Sequence, residues 1–166
     1  MELRVGMCML AVMAAGATAP ARAADTTSGT LVVAGKTVRL THGLALAKKG
    51  FFDPKSDDVE VVLCDAVVPI GGTEAKFARM EMGDKGTAHC VENTINAAGN
   101  VLNFTLRHNA FKMTEGGAST DMVYEPGPKK AGRITGRVRT KAPGSSFEKI
   151  PYTYDVTFDL AVAPKQ

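Results

Sequence analysis

The chain has 166 residues, of which 45% are hydrophobic, 22% charged and 6% aromatic. That apolar share is enough for a buried core and excludes disordered and low-complexity classes. A balance of 20 basic against 17 acidic residues leaves +3, too mild for a dedicated nucleic-acid binder. The mean hydropathy of −0.03 excludes a polytopic membrane protein.

Residues 1–23 differ from the remainder. Arg4 supplies positive charge, Val5 to Ala15 is an uncharged run containing Leu10 and Val12, and a small-residue stretch ends in Ala21-Arg22-Ala23. Charge, apolar run and Ala-x-Ala in that order mark a cleavable secretory signal. The run is too short, and too rich in Gly, Ala and Thr, for a membrane span. Cleavage after Ala23 leaves 143 residues from Ala24 onward; it removes Arg4, Arg22 and Glu2, so the mature charge becomes +2. Cys8 departs as well, and its place near the start of the apolar run is not that of a lipoprotein cysteine. Cys64 and Cys90 then remain as two thiols in an exported chain, and the expectation is one disulfide. Closing the loop they bound, a separation of 26 positions, would stabilise by roughly 3–4 kcal/mol in the chain-entropy description.

The mature chain reads as strands. Thr30–Val33 and Lys36–Leu40 flank Ala34-Gly35, a hairpin signal, and Leu44–Leu46 extends a third short strand. Lys48 to Asp58, with Gly50, Pro54 and clustered charge, is a loop; Val59–Cys64 follows as a near-continuous apolar strand suited to burial on both faces. Thr73 is positioned to cap one short helix near 74–82, with Ala75, Ala78, Met82, Phe77 and Met80 as a partial apolar stripe. His89–Ile95 and Val101–Arg107 bracket a second hairpin turn, with Leu102, Phe104 and Leu106 facing inward. Gly116-Gly117 reads as loop, Ser119–Tyr124 as strand, and Glu125-Pro126-Gly127-Pro128 as a turn. Arg133–Thr140 alternates. The cleanest pattern comes last: Ile150, Tyr152, Tyr154, Val156, Phe158, Leu160 and Val162 share one face, and no helix has that period.

The fold expected is therefore all-β and a single domain over 24–166. It is a small β-sandwich of Ig-like or Greek-key type, or a small β-barrel, with about eight strands and one short helix.

Two surface features stand out. Lys129, Lys130, Arg133, Arg137, Arg139 and Lys141 form a basic run without an acid, and Arg133, Arg137 and Arg139 share a strand face, where they would add into a positive stripe. Such a stripe suits an anionic partner, and it also serves to keep a strand edge from pairing with other chains. Phe51-Phe52 sits inside a polar loop; one ring is expected to plug the core while the other stays exposed as a contact anchor. The acids Asp53, Asp57, Asp58, Glu60 and Asp65 lack the spacing of a calcium loop, since Lys55 stands where an oxygen ligand belongs.

Metal and catalytic patterns are weak. His42, His89 and His108 can be grouped with the cysteines and Met80, Met82 or Met113, but no Cys is followed closely by both a His and a Met as a blue-copper site needs. There is no nucleophile elbow, zinc-protease motif or phosphate-binding glycine loop. Asp155 and Asp159 lie on one strand face about 13 Å apart at ~3.3 Å per residue, too far for a glycosidase pair. The expectation is a non-enzymatic exported protein, periplasmic or secreted, without cofactor or metal and without a membrane span once the signal is cleaved. It would bind a protein or an anionic envelope component, and not nucleic acid, through Phe51, Phe52, Arg133, Arg137, Arg139 and Lys141. The alternatives are a carrier of a small apolar ligand such as a lipid, or an inhibitor that restrains a toxin or hydrolase.

Overall fold

The computed structural model describes residues 23–118 and 120–165. The expected signal segment, apart from Ala23, lies outside the described residues. In chain order the elements are β1 (Thr26–Val33), β2 (Lys36–Leu40), β3 (His42–Lys49), β4 (Asp57–Cys64), α1 (Gly72–Lys85), β5 (Cys90–Ile95), β6 (Val101–Arg107), β7 (Glu115–Ala118), β8 (Met122–Pro126), β9 (Arg133–Thr140), β10 (Gly144–Ser145) and β11 (Pro151–Ala163). The protein is mostly β, and its sheet curls into a half-barrel.

Strands hydrogen-bond along the path β2-β1-β11-β3-β4-β5-β6-β7, while β9 and β10 also pair with β11 and β8 pairs with β9. The long final strand organises the rest. It runs antiparallel to β1 from Thr26↔Asp159 to Val33↔Tyr152, and antiparallel to β9 from Asp155↔Arg139 to Ala161↔Arg133. At its end it turns to a parallel pairing with β3, Val162↔Ala45 and Ala163↔Leu46. The period-two pattern is the cause: Tyr152, Tyr154, Val156, Phe158 and Leu160 all enter the core, opposite Val61, Leu63, Val91, Phe104 and Leu106. Asn93 is the polar exception inside this layer, and its side-chain oxygen accepts the Tyr154 hydroxyl at 2.8 Å.

β4 is buried on both faces, as its continuous apolar run implies. Val61 and Leu63 face the main core; Val62 and Cys64 face a second cluster with Cys90, Val68 and Ala88. Cys64 and Cys90 stand directly opposite each other in the β4–β5 register, with Cα atoms 4.2 Å apart, and form the disulfide.

Several local expectations need correction. The helix is longer than the 74–82 stretch, and its N-cap is Gly71 with no side-chain cap, so Thr73 lies inside the first turn. Its buried residues are Ala75, Arg79 and Gly83, while Phe77 and Met80 face solvent. The seam against the sheet is small and polar rather than apolar. Gly83 is needed there, since a Cβ would come within 2.8 Å of the Arg107 Cβ. Leu102 does not enter the core: a register shift at Thr94/Ile95 pairs Ile95 with Val101, and Val101 takes the buried place. Gly116-Gly117 is strand, not loop. A Cβ on Gly116 would meet the Phe104 carbonyl oxygen at 2.7 Å, so glycine is what lets β7 lie against β6. Eleven strands are present among the described residues against about eight expected, the short β7 and β10 among them.

Candidate functional site

β4 runs antiparallel to both β3 and β5, and β9 runs antiparallel to β11, which is parallel to β3 at its end. One end of the molecule therefore collects the β3–β4 loop, the β5–β6 turn and the β8–β9 turn. Phe51 and Phe52 lie there, 79% and 76% exposed. Neither ring plugs the core, contrary to expectation. They pack on each other edge-to-face, with centroids 4.9 Å apart. The loop that carries them is braced from within. The Phe51 N–H donates to the buried Asp58 carboxylate at 2.9 Å, Lys55 N–H donates to Asp53 at 3.0 Å, and Gly50 N–H donates to the Ser56 carbonyl at 3.0 Å. Of the acids grouped by sequence, Asp53 and Asp58 thus act on the loop backbone, and Asp57 forms an ion pair with Lys165. At the same end a cleft of about 330 Å³ opens between the β5–β6 turn and β8–β9, lined by Val59, Ile95, Tyr124, Pro126 and Ile134 with Arg133 at its rim.

The arginines of β9 share a face, as their spacing requires, but they do not stand alone. Arg133 donates to Asp159 at 2.5 Å and to Asp25 at 3.0 Å, and also to the Ala23 carbonyl. Arg137 donates to Asp155 at 2.6 Å, and Arg139 to Glu125 at 2.8 Å. The hydrogen bond from Arg137 holds the Asp155 carboxyl below the usual carboxylate range, and those from Lys130 and Arg133 do the same for Asp159. The stripe is a ladder of alternating charge, because β8 and β11 bring acids that lie 12 or more residues away in sequence. Lys141 stays exposed and donates to the Thr120 carbonyl.

Two further clusters escaped sequence reasoning. Beneath α1, Arg79 is 1% exposed and donates to Glu92 at 2.9 Å, to Glu60 at 3.2 Å and to the Pro69 carbonyl at 2.9 Å. Arg107 reaches the same Glu92 oxygen at 2.6 Å, and Lys48 pairs with Glu60. Burial pushes the Glu92 carboxyl up, but hydrogen bonds from Arg79 and Arg107 outweigh it and hold the group below its ordinary value. A polar groove of about 260 Å³ runs beside this layer, with Lys48, Lys76, Asn103 and Thr105 on its walls. The available signal was a glutamate inside each of two strand segments, Val59-Glu60-Val61 in an apolar run and Val91-Glu92-Asn93 in a mixed one.

Next to the disulfide, the Asp65 carboxylate takes the His89 backbone N–H and faces its Nδ1, each at 2.7 Å. The His108 ring lies 4.4 Å from that of His89 and accepts the Ala110 N–H through Nδ1. Burial, then the neighbouring His89, push His108 down to about 4. His42 sits across from Cys64 in the β3–β4 register. Among the described residues no group of three or more His, Cys, Asp and Glu side chains is placed to hold a metal ion. Among them, also, no helix is long and apolar enough to cross a membrane.

No protein family, no curated protein and no solved structure matches the chain.

Proposed function

We propose that the chain is a non-enzymatic binding module that works outside the cytoplasm and engages a protein or anionic component of the cell envelope through the end bearing Phe51 and Phe52. The observation that carries this reading is the pair of exposed, mutually packed rings on a loop braced by Asp53 and Asp58. Exposed aromatic side chains cost hydration free energy, and a preordered loop loses little entropy on docking. The Cys64–Cys90 bond is compatible with an oxidising compartment. The charge ladder of Arg133, Arg137 and Arg139 is secondary, since its carboxylate partners already occupy it. For the architecture, we favour a sandwich over a closed barrel, because the strand path ends at β2 and β7 rather than returning on itself.

The test is photo-cross-linking in the protein's own host, with benzoylphenylalanine at position 52 and, as a control, at Phe147. Phe147 is 90% exposed but precedes β11, so it lies at the opposite end of the molecule. Adducts at position 52 and none at 147 are expected. Equal labelling at both positions, or none, would overturn the reading.

A second reading, carriage of a small apolar ligand, is favoured by the cleft lined by Val59, Ile95, Tyr124 and Ile134. It expects a small apolar molecule to accompany the protein in a native mass spectrum, and loss of that adduct in Ile134→Asp.

A further inference from the structure

Charge is distributed unevenly around the exposed rings. Lys49 and Lys55 flank them in sequence, and Lys129 lies in the turn at the same end; all three are exposed, and none has a carboxylate partner among the described residues. The nearby acids are differently placed. Asp58 is 4% exposed and receives Phe51 N–H, and Asp57 is held by Lys165. Asp57 nevertheless stays exposed, opposite Lys49 in the β3–β4 register, and Asp53 is exposed as well, one of its oxygens accepting from Lys55 N–H. What faces outward is thus a tip of two phenyl rings flanked by Lys49 and Lys55, with Lys129 at the same end, where lysines without a carboxylate partner outnumber the unpaired carboxylate of Asp53. Such a tip has no matching concavity to demand, and it fits a surface that deforms around it. Aromatic rings settle at the boundary between headgroups and acyl chains, and lysine stems reach from there to lipid phosphates. Neither part holds a bilayer stably alone; the combination of an apolar insert with basic residues does.

We propose that Phe51 and Phe52, with Lys49, Lys55 and Lys129, form a wedge that docks the protein on an anionic phospholipid bilayer. This rests on the reading of that end as the docking end, and it names the partner as lipid. The Phe pair enters the interface and the lysines pair with phosphates, so the long axis of β11, about 40 Å at ~3.3 Å per residue, stands away from the membrane with Phe147 at its far end.

The chain contains no tryptophan, which makes the test direct. Phe52→Trp introduces a single indole at the tip, and Phe147→Trp places one at the opposite end. Vesicles of phosphatidylcholine with phosphatidylglycerol should shift the emission of Phe52→Trp to the blue and allow brominated acyl chains to quench it, with Phe147→Trp unaffected. Phosphatidylcholine alone should bind weakly. Near 1 M salt, where the screening length is about 3 Å, partitioning should fall toward that of the neutral vesicles. Lys49→Gln or Lys55→Gln should each weaken partitioning roughly fivefold, and Phe51→Ser/Phe52→Ser by tenfold or more, on the order of one buried ring. All these positions are exposed, so an unchanged unfolding midpoint identifies folded variants. No blue shift on anionic vesicles, or a shift equal at positions 52 and 147, overturns the lipid wedge. If the shift is absent but position 52 cross-links to a protein in the host, the docking end stands and its partner is protein. If both experiments are negative, both readings fall.

Discussion

The protein uses arginine–carboxylate pairing twice, in opposite settings. Beneath α1, Arg79 and Glu92 have side chains 1% and 7% exposed; on the outer face of β9 and β11, Arg137 and Asp155 are 44% and 48% exposed. The chemistry is the same and the consequence differs. Water competes for every group of the surface ladder and salt screens it, so each pair contributes little. Under the helix the side chains of Arg79 and Glu92 are almost fully buried, and removing one half leaves a charge without its partner where solvent compensates poorly. The buried layer also explains how a helix with a small, polar seam stays on the sheet: Arg79 ties α1 to β4 and β5, and Arg107 closes the group from β6.

The contrast can be broken by substitution. Arg79→Ala should destabilise by about 3–5 kcal/mol in denaturant unfolding, the largest effect expected. Arg79→Met/Glu92→Leu should cost less than the sum of its single changes, since the two charges leave together; strict additivity would show that the pair is not coupled. Replacing both cysteines by alanine, next to the same layer, should cost about 3–4 kcal/mol. A much smaller loss would mean that the β4–β5 pairing already restricts the unfolded chain.

Acid should act in two stages. The folded value of His108 lies below the ordinary 6.5, at about 4. The unfolded chain therefore binds more protons in that window, and stability present above 6.5 is lost as pH falls toward 4. The Glu92 carboxyl is held below its ordinary 4.5, so its contribution persists above that value and is lost as pH falls through the lower, folded one. His108→Phe should flatten the first stage and leave the second. At the bottom of the scale, Arg137→Ala should leave the unfolding midpoint unchanged within measurement error, and raised salt should make it indistinguishable from the parent.

The parts of this fold legible in the sequence are those governed by local period and turn chemistry. The seven-step alternation of β11 and both hairpins follow from neighbours in the chain, and the cysteine pair from there being two thiols beyond the expected signal. The loop of Phe51 and Phe52 was visible as an aromatic pair, although the exposure of both rings was not, because that depends on Asp58 bracing the loop from β4. What stayed hidden was decided across strands. Glu60 belonged by sequence to an acidic loop, yet its partner is Arg79 in the helix. The β9 arginines looked unopposed because Asp155, Asp159 and Glu125 enter from neighbouring strands. Leu102 was misplaced by one residue at a bulge, where the two-residue period slips.

The position of β11 has a consequence for how the chain matures. The strand to which β1, β3, β9 and β10 all hydrogen-bond is the last of the described strands to be made. A chain made up to Lys149 can pair β1 with β2, β8 with β9 and β3 through β7 with one another, but β1 must wait more than a hundred residues for the strand that joins it to β3. Joining these sections is thereby deferred until β11 has emerged, and before that moment they remain separate pieces that can be threaded one after another.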